Sequence, residues 1–365
     1  MGPRTRIAAA GTVALLASAG PAAAGGARIA PLNPSAPATT GPATGPLRDR
    51  VIARRSPRAR AAVGVGSAHA YRTNDGATIE VQLSQSFADT AENRAEAQTF
   101  VDFLATRVHG SELGSLRMFI GTPAEVNNQC GGDSGVQACY VGGERRMYVP
   151  STDPGGGGSP YTREYVVTHE YGHHIAAFRR NDPFSAINWG PKYWASYKRV
   201  CAGVFEGRYF PGDQGAHYLD DPGEGWADSY AHLHFPSVPF QFNRGFAPDA
   251  GAFAAIRRDV LSPWTRPATR TIRRSLSSRR RVTTTTSRLA LDGTVALALS
   301  GPRRANYDLQ VLENGHVVDQ THAGGSRDRV AGTVCRANAG AASITFRVRR
   351  RTGSGPFSLR ISTPG

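Results

Sequence analysis

His169-Glu170-Tyr171-Gly172-His173 sets two imidazoles four residues apart with a carboxylate beside the first. On a helix that spacing stacks His169 and His173 one turn apart on one face. Two ring nitrogens so placed can hold one zinc ion at about 2.0–2.1 Å each. Glu170 leaves the helix at the edge of the same face. There it can take a proton from a water activated by the metal without binding the metal itself. The plain alternative for so short a motif is a surface helix with two exposed histidines. Its apolar setting, with Val166 and Val167 before it and Ile175 after it, favours a buried site.

Two histidines do not complete a catalytic zinc centre, which takes three protein ligands and keeps a fourth position open. A third histidine six residues beyond His173 is excluded, because that position is Arg179. The carboxylate option is Glu224. Asp228 follows one turn later on the same helix face and can accept the free N–H of a ligating imidazole, which fixes its tautomer and raises its basicity. His217, Asp220, Asp221 and His232 are nearby groups of types that zinc also accepts. Of these, Asp220 and Asp221 stand at a helix start, where short carboxylates serve as caps. A donor for the developing oxyanion is expected as well. Tyr218 is the first choice and His232 the second. His174 leaves from the flank of the ligand face and reads as structural.

The motif needs a rigid helix beneath it. Residues 162–179 contain no proline, and their one glycine is Gly172. Val167, Tyr171, Ile175 and Phe178 recur at helical spacing. Ser159-Pro160 predicts the N-cap and first helical residue, and Arg179 and Arg180 suit the negative end of the dipole. Pro154 and the four glycines after it cannot be regular structure. Asp221-Pro222 predicts the start of the helix that carries Glu224 and Asp228. Upstream, residues 77–83 alternate like a strand after the turn Asn74-Asp75-Gly76, residues 89–108 read as an amphipathic helix, and residues 116–120 and 146–149 read as strands. Downstream, residues 193–205 and 252–261 read as helices.

Around this mixed α+β unit, spanning residues 61–262, the chain changes character. Residues 1–24 have a basic start, a short apolar run and a small-residue cleavage site, which predicts a secretory signal peptide and an extracellular, soluble product. Residues 25–60 read as a disordered Pro-, Ala- and Arg-rich segment or a propeptide. Residues 263–290 read as a basic linker. Residues 291–365 shift to a period of two, with six short strands and an Asn314-Gly315 hairpin signal, and predict a small all-β sandwich.

The net charge of +15 suggests nucleic acid, but its distribution argues against that. Residues 61–265 hold 16 basic and 22 acidic side chains, whereas residues 266–281 alone hold seven arginines and no acid. The basicity therefore lies in linkers and tail. A solvated linker is the plain reading, with contact to an anionic cell surface through the linker and β domain as the alternative. No stretch predicts a membrane span.

His169-Glu170-Tyr171-Gly172-His173 with Glu224-Gly225-Trp226-Ala227-Asp228 resembles the gluzincin metallopeptidases, of which thermolysin is the familiar member. It is more similar still to secreted bacterial neutral zinc metallopeptidases that carry a small C-terminal β domain. The resemblance spans residues 77–262. It implies a zincin-like fold, His169, His173 and Glu224 as zinc ligands, Glu170 as general base and Asp228 as orienting partner. It also implies a protein or peptide substrate laid along an edge strand, to which residues 146–149 correspond. No counterpart of thermolysin's calcium-binding segments is evident, so no calcium is expected. The tail around Gly353-Ser354-Gly355-Pro356 resembles pre-peptidase C-terminal domains. The expected activity is zinc-dependent endopeptidase. The rival is a non-catalytic secreted surface-binding protein with a structural zinc.

Four cysteines allow three pairings. Cys130 and Cys139 enclose a short glycine-rich loop and should pair. That leaves Cys201 with Cys335, a bond that would tie the β domain to the larger unit.

Overall fold

The computed structural model describes residues 28, 29, 32, 47–54, 64–133, 135–154, 159–321, 324–336 and 341–365. The predicted signal peptide, the glycine run 155–158 and most of residues 25–60 lie outside the described residues.

Short alternating segments build the first sheet. Its strands are β1 (Val51–Ile52), β2 (Val65–Arg72), β3 (Thr78–Ser84), β4 (Arg117–Gly121), β5 (Cys139–Val141) and β6 (Arg146–Pro150), in the order β1-β5-β6-β4-β3-β2. β4 runs parallel to both β3 and β6, and β5 is antiparallel to β6. β6 therefore lies between β4 and β5. This corrects the expectation that residues 146–149 form the edge. β5, outside β6, is three residues long and too short to show a period, and the outermost strand on this side is β1. β1 lies along β5 in parallel, with Val51 opposite Tyr140.

Within the segment expected to be disordered or a propeptide, residues 47–54 are ordered and pack onto this edge. Leu47 and Asp49 are buried. The backbone N–H groups of Gln137 and Tyr140 donate to the carbonyls of Arg48 and Arg50 at 2.8 and 2.9 Å. Dense arginine hid the two-residue apolar strand within it.

Helix α1 (Ala91–Ala105) is capped by Thr90 and sends Phe100, Val101, Phe103 and Leu104 into the main core. α2 (Pro123–Gln129) begins with a Thr122–Glu125 capping box. α3 (Arg163–Ala177) carries the histidine motif. Its cap is Thr162, whose side chain accepts from the Tyr165 N–H, and not Ser159, whose hydroxyl is turned to the Tyr161 N–H at 3.1 Å. α4 (Ala186–Trp189) follows. The single helix expected over residues 193–205 is two, α5 (Lys192–Tyr197) and α6 (Val200–Phe205), broken where Arg199 adopts a left-handed φ of 55°. α7 (Pro222–His232) starts as predicted, with Asp221 capping the Gly223 N–H at 2.8 Å. α8 (Ala250–Leu261) closes the unit.

α3 and α7 approach closely. A Cβ at Gly172 would meet the Ala227 Cα at 2.9 Å, so only glycine permits this contact. The Trp226 indole N–H donates to the Gly172 carbonyl at 3.0 Å across the same junction.

The remaining strands are β7 (Ala268–Leu276), β8 (Val282–Leu289), β9 (Gly293–Ser300), β10 (Asn306–Glu313), β11 (His316–Gln320), β12 (Arg327–Val334), β13 (Ala342–Thr352) and β14 (Gly355–Thr363). They form two four-stranded sheets, β11-β10-β13-β8 and β12-β9-β14-β7. All their pairings are antiparallel, and the core between them holds Leu297, Leu309, Phe346 and Phe357. Asn314 and Gly315 turn the β10–β11 hairpin with φ of 50° and 85°. The sandwich is as expected, but residues 263–290 are not a linker. They hold β7 and β8, one edge strand of each sheet. Their exposed arginines and threonines are what an unpaired edge needs against further pairing.

Both expected disulfides are present, Cys130–Cys139 and Cys201–Cys335. The second joins α6 to the sandwich. Beside it the Arg336 guanidinium meets the Asp292 carboxylate at 3.0 Å, and Lys192 Nζ donates to the Asp292 carbonyl at 2.9 Å. No helix among the described residues is long and apolar enough to cross a membrane.

Candidate metal centre

α3 is buried on all sides from Tyr165 to Ala176, which excludes the exposed surface helix. His169 and His173 turn Nε2 inward toward α7, where Glu224 Oε2 lies 3.4 Å from the first and 3.2 Å from the second. A fourth donor comes from an unexpected place. Asp49 Oδ2 is 3.4 Å from His169 Nε2 and 3.0 Å from His173 Nε2. All four side chains have zero exposure, and their donor atoms lie within 4.8 Å of one another.

This set fits a metal ion on geometry. Donors at about 2.0–2.1 Å in a tetrahedron stand roughly 3.3–3.4 Å apart. Four of the six separations are 3.0, 3.2, 3.4 and 3.4 Å, and all six lie within 4.8 Å. It fits on charge too. Burial opposes ionisation of Asp49, yet the His169 and His173 imidazoles hold its carboxyl well below the usual range. Burial pushes His173 down, and Glu224 and Asp49 outweigh it to bring it up to about 10. His169 is raised in the same way against burial, by Asp49 first. Two buried carboxylates facing two imidazoles are a set whose negative charge a dication would balance. A buried Asp-His-His-Glu cluster could hold a metal ion.

The surrounding groups orient the donors. Gln214 Nε2 donates to Glu224 Oε1 at 2.8 Å. Asp228 Oδ1 lies 3.6 Å from His169 Nδ1, on the expected side but longer than a hydrogen bond, and accepts from the Tyr165 hydroxyl. Glu170 is fully buried and neither of its oxygens has a hydrogen-bond partner. Burial, then the nearby Asp49 charge, pushes its carboxyl well above the usual range. Tyr218 reaches the centre through Asp49, donating to its Oδ1 and accepting from its N–H at 3.3 Å. Burial and Asp49 hold that phenol protonated.

The other histidines stand apart. His232 is committed to the Asp228 and Val238 carbonyls at 2.9 and 2.7 Å, so it is not available as a donor. His174 bonds the Glu112 carbonyl at 2.9 Å and the Tyr140 hydroxyl at 3.1 Å. His217 is exposed and stacks on Phe210 with ring centroids 3.7 Å apart. Asp49, Gln214 and Tyr165 escaped the sequence reading. The one available signal was that Asp49 is the lone acid in a run of six arginines over residues 48–60.

No family model matches the chain. No curated protein matches it either. Among solved structures, 26% of the chain is similar to 88% of the pre-peptidase C-terminal domain of a collagenase from Bacillus anthracis, at 12% identity and a TM-score of 0.23. A mitogen from Yersinia pseudotuberculosis matches 27% of the chain over 86% of its own length, at 11% identity and a TM-score of 0.23. A periplasmic inhibitor of g-type lysozyme from Aeromonas hydrophila, PliG, matches 26% of the chain over 86% of its own, at 14% identity and a TM-score of 0.20.

Proposed function

We propose that the chain is a secreted zinc-dependent endopeptidase of the gluzincin type. The observation that carries this reading is Glu170, a fully buried carboxylate without a partner, on the same helix as two converging imidazoles. Burying an ionisable group unpaired is costly, and a purely structural metal needs no base there. Two disulfides fit an oxidising compartment.

In this reading His169 and His173 would hold zinc through Nε2 and Glu224 would hold it through Oε2. Bound zinc supplies a Lewis acid that acidifies water and polarises a scissile carbonyl. Glu170 would accept a proton from the attacking water and return it to the leaving amine. Tyr218 donates its O–H to the developing oxyanion. An extended peptide would add to the edge of β5, the edge that β1 holds in this structure.

The rival, a non-catalytic surface-binding protein with a structural zinc, is favoured by one observation. The cluster has four protein donors, which is the closed arrangement of structural sites. Metal content and chelator-sensitive cleavage of casein distinguish the two. The peptidase reading expects about one zinc per chain, and Glu170→Gln that keeps the zinc and loses hydrolysis. A zinc-free parent, or a Glu170→Gln variant as active as the parent, would sink it.

A further inference from the structure

Asp49 presents a conflict within this reading. A hydrolytic zinc needs an open fourth position, and the Asp49 carboxylate stands in it, 3.0 and 3.4 Å from the two histidine nitrogens. The segment that brings it there is held at every step. Leu47 is fully buried against Tyr161, Tyr165 and Val166, and its carbonyl accepts from Gln241 Nε2 at 2.9 Å. The Val51 N–H donates to Gln214 Oε1 at 3.1 Å, and the Ala53 carbonyl accepts from the Gly143 N–H at 2.9 Å. β1 thus fills the edge of β5 on which a peptide would otherwise add.

Two active-site groups are also engaged by this segment. Tyr218 spends its hydroxyl on Asp49, and Gln214 divides its amide between Val51 and Glu224. A permanent structural ligand would explain both contacts. It would not explain the buried, unpartnered Glu170, which the fold keeps although nothing in this state uses it.

We propose that residues 47–54 are an internal inhibitor. Asp49 is a displaceable fourth ligand that closes the metal centre, while β1 occupies the substrate edge. The chain as it stands is therefore the latent form of the enzyme, an inference that rests on the zinc reading above. Displacement breaks no covalent bond. The carboxylate leaves the ion, and a water or a substrate oxygen takes its place.

The test uses the full chain loaded with Co(II), whose visible absorption reports coordination, and acetohydroxamate as an external metal-binding probe. An internal ligand in place about 99% of the time lowers the apparent affinity of an external one roughly 100-fold. Asp49→Ala is expected to bind acetohydroxamate about 100-fold more tightly than the parent, to shift the cobalt spectrum before any probe is added, and to cleave a fluorogenic peptide faster by a similar factor. Asp49→Asn, which keeps a side chain of the same size and an acceptor for Tyr218, should move in the same direction. Its far-UV circular dichroism separates loss of a ligand from loss of the fold. Equal probe affinity in the parent and both folded variants overturns the proposal, as does an unchanged cobalt spectrum. Failure of all three proteins to take up Co(II) or Zn(II) overturns the metal reading itself, so the two failures are distinct.

Discussion

Gly172→Ala probes whether the α3–α7 contact sets the metal geometry. A Cβ there would sit 2.9 Å from the Ala227 Cα and 3.3 Å from its Cβ and carbonyl oxygen. Ordinary contact begins near 3.4 Å, so the helices must part by about 0.5 Å. Overpacking of this kind costs about 1–3 kcal/mol. Against it, alanine gains about 1 kcal/mol over glycine inside a helix. Net stability should therefore change little, falling by roughly 0–2 kcal/mol. The metal should report the change far more strongly. α3 carries His169 and His173 and α7 carries Glu224, with donor separations of 3.4 and 3.2 Å that a 0.5 Å displacement would stretch beyond a tetrahedron's edge. Zinc affinity, measured by competition with a chromogenic chelator, is expected to fall by at least roughly tenfold, the lower end of what losing an orienting group costs. Ala227→Gly should not rescue it, because the nearest atom is the Ala227 backbone. If Gly172→Ala raises the melting temperature and binds zinc as the parent does, the reasoning is wrong.

Further outcomes follow from the structure. Glu224→Ala should lose metal binding and hydrolysis together, while Asp228→Ala should weaken zinc about 10–100-fold. Zinc retained in Glu224→Ala and lost in His217→Ala or His232→Ala would move the third ligand to a histidine. His174 tests acid stability. Burial, the largest influence, holds its pKa down to about 4, so the folded state stays neutral where the unfolded chain takes a proton. Its contribution is intact above an unfolded value near 6.5 and is lost as the pH falls from there toward 4, up to about 3 kcal/mol. Denaturant unfolding at pH 7 and 4.5 measures this, and His174→Asn should flatten the difference.

The site was legible where chemistry coincided with periodicity. His169, Glu170, His173, Glu224 and Asp228 all lie on helices, where spacing fixes the shared face, and they converge as that spacing implies. Gln214 lies in a loop whose path no local pattern encodes. Asp49 sits 124 residues before His173 in an arginine run, and only tertiary packing reveals it. The strands show the same division. β3, β4 and β6 carry enough apolar residues to be read, whereas β1 and β5 have two and three residues each and depend on their neighbours. β7 and β8 were hidden by composition. Arginine and threonine look like solvated linker until the pairing of Leu359 with Ile272 shows one face turned inward.

The junction between the two units also determines how they fail. Many of its contacts spring from a short stretch of α5 and α6, where Lys192, Ser196 and Cys201 all reach the sandwich while Trp194 is sunk in the main core. Melting the sandwich alone would strand a buried lysine and a buried aspartate away from their partners. Opening the larger unit alone would pull on a covalent bond to a folded wall. The two units therefore share one thermodynamic fate. Heat should meet a single cooperative body, in which a lesion in either unit lowers the stability of both.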